Sequence, residues 1–266
     1  MSTYHQRQIE SHQRDEIVRV CRLLYEHGWV PATDGNVSTR LGPDRILVTP
    51  SGLSKGFVTS EDLVVVDLAG QPQPSPLYGA NRHRPTSELP LHLEAYRRRP
   101  DVNAVVHAHP PYSIALSIAG FPIARCLLPE VIVNLGVIPI TEYAMPGSPE
   151  GPGVMGHLIE HHDALVLQRH GSVTVGRDLM DAYLKTEKVE HAAEVTFLVT
   201  RLGGGSALPP REAQKLIAAR RLRGQMSPAE EAELCAACGL CDAAPSSAAD
   251  DALVAEVTRR VLASLG

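Results

Sequence analysis

The chain lacks any long hydrophobic run: no stretch approaches the ~20 apolar residues of a membrane span, so no transmembrane helix is expected. Its first residues, Met1 to Asp15, are polar and hold no apolar signal core, which points to a cytosolic location. Positive charge is also scarce. With 25 Lys+Arg against 30 Asp+Glu the formal net charge is -5, so there is no global basic footprint for nucleic acid. Arg97-Arg98-Arg99 reads instead as a solvated cluster favoured by a helix C-terminal dipole. Cysteine is rare and odd in number, at 5. Cys21 and Cys126 stand isolated while Cys235, Cys238 and Cys241 cluster late, which is unlike a secreted disulfide framework. What remains is an ordinary globular composition, 44% hydrophobic and 21% charged over 266 residues, enough for one domain with a full core plus an appendage.

The most informative feature is Ala104-Val105-Val106-His107-Ala108-His109-Pro110. Alternate residues of a strand face the same side, so His107 and His109 can share one metal ion. Pro110-Pro111 cannot continue a ladder, which puts the pair at a strand's exit. A third histidine has an equivalent setting, because Ala164–Gln168 reads as a buried strand and Arg169-His170-Gly171 ends it at a turn. Three neutral imidazoles suit zinc with one position left open, provided that the two strands are neighbours; a packing role is the alternative.

Around these histidines, apolar spacing predicts helices over 11–28, 87–99, 111–119, 129–134, 153–162 and 178–200. Strands are expected at 37–40, 46–48, 63–67, 137–140, 164–168 and 173–175, besides the one carrying His107. Alternation of this kind implies an α/β fold with a central sheet and helical layers. On α-helix 178–200, Glu187, Glu190, His191 and Glu194 read as a solvated or intersubunit face.

Three turn motifs precede the histidines: Thr33-Asp34-Gly35-Asn36-Val37-Ser38, Thr49-Pro50-Ser51-Gly52 and Pro85-Thr86-Ser87-Glu88. Each offers hydroxyls, an amide or backbone N–H groups, and the third opens a helix, so together they can cradle a phosphate. Glu88 is either a capping residue or a carboxylate beside the metal acting as general acid/base. His92, one turn further, suits a supporting or packing role.

In this order the motifs TDGNVS, TPSG, PTSE, RPDVNAVVHAHP and QRHG resemble the class II aldolase/adducin family, and within it the zinc-dependent L-fuculose-1-phosphate aldolases, over roughly residues 10–205. The resemblance implies a three-layer α/β/α domain with a mostly antiparallel central sheet, assembled as a homotetramer with sites between subunits. It implies one Zn2+ per subunit on His107, His109 and His170, with Glu88 as acid/base. Asn36, Ser51, Gly52, Thr86 and Ser87 match the phosphate-binding positions. The implied reaction cleaves a deoxy-ketose 1-phosphate to dihydroxyacetone phosphate and lactaldehyde. One departure concerns the aldehyde end: the family's tyrosine after the HxH motif has no counterpart in Ala124-Arg125-Cys126-Leu127-Leu128, leaving Tyr112, Tyr143 or Arg125 as substitutes. The same scaffold serves pentulose-phosphate 4-epimerases, methylthioribulose-1-phosphate dehydratases and non-catalytic adducin-like modules. A Schiff-base aldolase is disfavoured because only Lys55, Lys185, Lys188 and Lys215 exist, and Lys55 alone lies near a pocket motif.

After residue 205 the composition loosens. Residues 206–249 read as a linker containing Cys235-Ala236-Ala237-Cys238-Gly239-Leu240-Cys241, a possible metal or iron–sulfur site whose fourth ligand is missing, since the ferredoxin-like place falls on Pro245. Residues 250–266 read as an amphipathic helix, with Leu253, Val257, Val261 and Leu265 at intervals of four. It resembles the encapsulation peptides of bacterial microcompartments, which implies a shell or cargo-protein partner and a microcompartment lumen; packing on its own protein is the alternative.

Overall fold

The computed structural model describes residues 3–224 and 226–240 together with positions 256 and 259. The expected tail helix at 250–266 and Cys241 therefore lie outside the described residues, apart from those two positions. Among the described residues no helix is long and apolar enough to cross a membrane.

The chain divides into two compact units: Met1–Phe121 with Pro139–Glu190, and Pro122–Ile138 with the chain from His191 onward. The first unit is built on a six-stranded sheet in the order β3-β2-β1-β4-β6-β5. Its strands are β1 (Asn36–Gly42), β2 (Arg45–Val48), β3 (Val64–Val66), β4 (Ala104–Ala108), β5 (Ala164–Leu167) and β6 (Gly171–Gly176). Every pairing is antiparallel. β4 lies between β1 and β6, with helices on both faces of the sheet, so all five of its residues are buried and the strand reads as a near-continuous apolar run.

Side-chain alternation sorts the sheet into two cores. Val37, Leu47, Val65, Ala104, Val106 and Ala108 pack with Ile17, Val20 and Leu24 of α1 (Thr3–Glu26) and with Leu179 and Ala182 at the start of α6 (Leu179–Arg201). On the opposite face Ile46, Val48, Val105, Leu165, Val173 and Val175 pack with Leu93 and Tyr96 of α2 (Leu89–Arg98) and Met155 and Ile159 of α5 (Glu150–Ile159). Register fixes the rest: Asn36 stands opposite His107 and Ser38 opposite Val105. The three-layer α/β/α arrangement with an antiparallel sheet thus agrees with the sequence expectation.

Four local expectations need correction. α1 begins at Thr3 rather than near residue 11, because its polar first half is anchored by a buried ion pair that apolar spacing does not reveal. The strand expected at 137–140 is reduced to one bridge between Ile140 and Val166, since Pro139 has no N–H to extend a ladder. Glu190 is not a solvated residue. It is 4% exposed, and its carboxylate accepts the backbone N–H groups of Tyr112 (2.7 Å) and Ser113 (3.0 Å) and the Ser113 hydroxyl (2.9 Å). These are the free donors at the start of α3 (Pro111–Ala119), whose own sequence supplies no capping side chain.

The fourth correction concerns the linker. Within 206–249 the structure has two helices, α7 (Pro210–Leu222) and α8 (Pro228–Ala237), which with α4 (Pro129–Asn134) build the second unit. Ser227 caps α8 by accepting the Glu230 N–H, and Pro209-Pro210 and Pro228 fit first-turn positions where no donor is lost. Cys126, expected to be isolated, forms a disulfide with Cys238 across 112 residues, so in this state Cys238 offers no thiolate to a metal.

The Glu10–Arg14 pair of the first unit is 2% and 1% exposed. Arg14 donates to Glu10 (2.8 Å) and to the Leu63 carbonyl (3.0 Å), and Ser75 donates to Glu10 (2.5 Å). Arg14→Met leaves the buried Glu10 carboxylate with only the more distant Arg45 (3.6 Å) and is expected to cost about 3–5 kcal/mol in urea unfolding. Glu10→Gln in the same chain should recover part of that loss.

Candidate metal centre

Four side chains from four separate places in the first unit converge. Glu88 sits immediately before α2, His107 on β4, His109 one residue past β4, and His170 in the three-residue turn between β5 and β6, where Leu167 pairs with Gly171. Their ligating atoms all lie within 4.8 Å of one another. His107 Nε2 is 3.0 Å from His109 Nε2 and 3.2 Å from Glu88 Oε2, and His170 Nε2 is 3.2 Å from Glu88 Oε1.

The partners of the outer ring nitrogens decide which inner ones can offer a lone pair. His107 Nδ1 lies 2.9 Å from the Ser172 carbonyl oxygen, which can only accept, so Nδ1 carries the proton and Nε2 presents a lone pair. His109 Nδ1 lies 3.2 Å from the Asp34 carboxylate, the same arrangement with an acidic partner. Burial, followed by the neighbouring His107 and His170 imidazoles, pushes His109 down to about 3 and keeps it neutral. Two imidazole lone pairs 3.0 Å apart beside a carboxylate repel one another unless a cation sits between them. Glu88 Oε1 agrees: it is buried and accepts no hydrogen bond of good geometry. The set of three imidazoles and one carboxylate therefore fits a divalent metal, of the kind that oxygen and nitrogen donors hold at about 2 Å.

The main chain holds these donors in place. The His109 N–H leaves the sheet and donates to the Trp29 carbonyl at 2.7 Å. Arg169 takes a left-handed φ of 62° in the β5–β6 turn, and its N–H donates to Ser117 Oγ at 2.9 Å. Gly171 is required by space: a Cβ there would meet the Ala108 carbonyl oxygen and come within 2.9 Å of the His109 ring.

Glu88 is oriented by a buried chain. Asn36 Nδ2 donates to Glu88 Oε2 (2.9 Å), and His92 Nε2 lies 2.6 Å from Asn36 Oδ1. His92 Nδ1 lies 2.6 Å from Ser38 Oγ, which in turn meets the Tyr96 hydroxyl at 2.8 Å. Since Asn36 Oδ1 can only accept, His92 Nε2 carries the proton and Ser38 donates to Nδ1. Burial pushes His92 down to about 3, so the relay is neutral. Burial also acts to raise the Glu88 carboxyl, but the imidazoles packed beside it, His107 first, and the hydrogen bond from Asn36 outweigh it and hold the group well below the usual carboxylate range.

The turn motifs are brought together as well. Pro50 bridges Pro85, the Thr86 N–H donates to the Thr49 carbonyl (3.1 Å), and the Ser51 N–H donates to the Arg84 carbonyl (3.0 Å). This places Ser51 and Gly52 beside Thr86 and Ser87, with Ser51, Gly52 and Ser87 exposed and Thr86 buried. Asn36 differs from the expectation: both ends of its amide are engaged with Glu88 and His92, leaving one N–H for any further ligand. Two residues take supporting roles that the sequence reading did not give them. Asp34 supports His109, and Lys55, 2% exposed, donates to the Thr33 (2.7 Å) and Leu53 (2.8 Å) carbonyls beneath the TDGNVS loop. A cleft lined by Glu88, Leu91, Thr141, Met145, Leu167 and His170 opens beside the donors.

Gly171→Ala is expected to displace the His109 ring and weaken metal binding about 10–100-fold, as loss of a ligand's supporting contacts does. Competition with a chromogenic chelator measures this, and an unchanged circular dichroism spectrum separates it from unfolding.

Comparison with known proteins identifies the family. The sequence matches the class II aldolase and adducin N-terminal domain over residues 15–197. It is 37% identical over 187 residues to an L-fuculose phosphate aldolase of Methanococcus maripaludis, covering 70% of this chain and 97% of that protein. It is 33% identical over 189 residues to a 3-oxo-tetronate 4-phosphate decarboxylase of Haemophilus influenzae, covering 70% of this chain and 87% of that one. The fold superposes on the crystal structure of YgbL of Klebsiella pneumoniae, described as a putative aldolase/epimerase/decarboxylase, with a TM-score of 0.69 and 28% identity, covering 78% of this chain and 98% of YgbL. With the family's domain spanning most of the chain and the donor cluster inside it, this protein belongs to the class II aldolase and adducin N-terminal domain family.

Proposed function

We propose that the protein is a zinc-dependent aldolase that cleaves a deoxy-ketose 1-phosphate of the L-fuculose type to dihydroxyacetone phosphate and lactaldehyde. The carrying observation is the placement of Glu88 between His107 and His170, tethered by Asn36, with a cleft open beside it. His107, His109 and His170 would hold the ion, with Glu88 beside it. When bound, the ion supplies Lewis acidity at the ketose carbonyl.

The chain's residues do the remainder. Glu88, kept ionised and aimed by the Asn36–His92–Ser38 relay, takes a proton at C3 in the condensation direction. In cleavage the C4 hydroxyl gives its proton to solvent as the C3–C4 bond breaks and the aldehyde forms, and Glu88, having taken a proton from solvent, then delivers it to C3. The paired turns bearing Ser51, Gly52, Thr86 and Ser87, with the remaining Asn36 N–H, are assigned to the phosphate. Tyr143, 58% exposed, is the candidate for the aldehyde oxygen in place of the absent family tyrosine. The family relationship also supports assembly as a homotetramer.

The test is a retro-aldol assay on L-fuculose and L-rhamnulose 1-phosphates with product identification, alongside 3-oxo-tetronate 4-phosphate. Glu88→Gln should keep its metal and lose about 10²–10⁴-fold in kcat. His107→Ala, or treatment with a chelator, should abolish activity, and zinc should restore it in the chelated wild type only. Carbon dioxide release from the 3-oxo acid phosphate with no cleavage of either ketose phosphate would replace this reading with decarboxylation.

For location, the sequence of residues 250–266 supports packaging in a microcompartment lumen through a shell or cargo protein. A fluorescent protein carrying only 241–266 should form compartment-associated puncta in cells making shells, and Leu253→Glu with Val257→Glu should leave it diffuse. Diffuse fluorescence of the unmutated fusion counts against targeting.

A further inference from the structure

The turns assigned to the phosphate are short of positive charge. Asn36, Ser51, Gly52, Thr86 and Ser87 are all neutral, and the ionisable residues within the same three motifs, Asp34 and Glu88, are acidic. A phosphate ester carries about two negative charges at neutral pH, which such surroundings repel unless a cation stands near. Arg84, whose carbonyl accepts the Ser51 N–H, is exposed to solvent. Lys55, in contrast, is 2% exposed and lies under the turns themselves.

Its two hydrogen bonds fall where the sheet stops holding the chain. Pairing of β1 with β2 ends at Ser38 and Val48, with one more bond from the Thr49 N–H to the Val37 carbonyl at 3.0 Å. Beyond that point both chains run into turns. Lys55 ties the turns together, donating to the Thr33 carbonyl (2.7 Å) on one and to the Leu53 carbonyl (2.8 Å) on the other. Each carbonyl adjoins a residue of the site. Asp34, directly after Thr33, faces His109 Nδ1 at 3.2 Å, and Gly52, directly before Leu53, is left-handed (φ 75°) with open space where a Cβ would stand. The Thr33 turn is also seated on the metal-bearing strand, since a Cβ on Gly35 would come within 3.0 Å of the His107 carbonyl oxygen. Lys55 thus joins a turn resting on the metal centre to a turn of the phosphate cradle. Burial pushes its ammonium down, and Cys21, Asp34 and Glu88 act in the opposite direction.

We propose that Lys55 is the positioning residue of the phosphate subsite: it clamps the Thr33 and Leu53 carbonyls so that the two turns keep the spacing a phosphate ester spans, and its ammonium offsets the ester's negative charge from beneath them. This role rests on the assignment of Ser51, Gly52, Thr86 and Ser87 to a phosphate, and it is independent of which substrate bond is broken. A buried cation in surroundings of low dielectric acts over several ångströms, so it needs no direct contact with the ester. Lys55 accordingly favours phosphorylated over unphosphorylated ketoses.

The experiment uses the zinc-loaded full chain with inorganic phosphate as the probe. Calorimetric titration should show phosphate binding about 10–100-fold weaker in Lys55→Met than in wild type, the loss expected of a charged hydrogen-bonding group. Zinc affinity, measured against a chromogenic chelator, should be the same in both, whereas a lysine that only supports the fold would lose zinc and phosphate together. In turnover KM for the ketose phosphate should rise by a similar factor with kcat changed far less, and Lys55→Arg, which keeps the charge, should recover part of the phosphate affinity. A wild-type measurement covers the case in which Lys55→Met does not fold: with lysine side chains labelled with nitrogen-15, the Lys55 ammonium resonance, assigned by its loss in Lys55→Arg, should shift as phosphate is added. Equal phosphate affinity in wild type and folded Lys55→Met, or a Lys55 resonance unmoved at saturation, overturns the proposal and leaves the phosphate subsite standing. A wild type that binds no phosphate overturns the subsite assignment and this role with it.

Discussion

The constraint on which the first unit depends is electrostatic. Three imidazole nitrogens and a carboxylate are driven into one volume with all their ligating atoms within 4.8 Å, an arrangement that repels itself until a cation is shared. No single element could hold it. His107 is fixed by ladder bonds on both sides of β4, His109 by the Trp29 carbonyl and Asp34, His170 by a hairpin turn, and Glu88 by Asn36. Much of the surrounding architecture reads as support for those four placements. Glu190 reaches from α6 to satisfy the start of α3 just beyond His109-Pro110, and Gly171 gives up a side chain so that His109 can lie against it.

A second feature is the polar seam through one face of the sheet. Asn36 and Ser38 alternate with the apolar residues of β1, but they face α2, where His92 and Tyr96 are both fully or almost fully buried. Burying four polar side chains is tolerable because each is hydrogen-bonded to the next. The result is a neutral, rigid chain ending on Glu88. Such a chain sets the direction of the carboxylate without competing with it for charge. A centre of this type serves any reaction in which a carbonyl is polarised beside a movable proton. That is consistent with a family in which the relatives of this chain include both aldolases and decarboxylases. Leu91, Thr141, Met145 and Leu167 form the walls of the cleft beside this centre.

The second unit follows another logic. Its few apolar residues are supplemented by a buried ion pair, in which Arg220 meets Glu230 at 2.6 Å and also donates to the Val133 carbonyl at 3.0 Å, and by the Cys126–Cys238 bond. Composition between residues 206 and 240 suggests loose chain because its helices carry little apolar periodicity. Their order comes from these specific polar and covalent ties.

By itself the sequence determined the order of elements in the first unit, the three histidines and the glutamate, and the turn motifs that pair with each other, because each is a local pattern of spacing and residue type. The HxH alternation, the QRHG turn and the TPSG and PTSE turns carry their meaning within a few residues. What only the tertiary structure decided depends on long-range partners. The polar first half of α1 is held by the Arg14–Ser60 and Arg14–Leu63 contacts, Glu190 is drawn inward by the free donors of α3, Asn36 is committed to Glu88 and His92, and Cys126 meets Cys238 over 112 residues. The physical reason is the same in each case: a polar or sulfur atom is neutral to its neighbours in the chain and acquires its role from the single group that folding places within bonding distance.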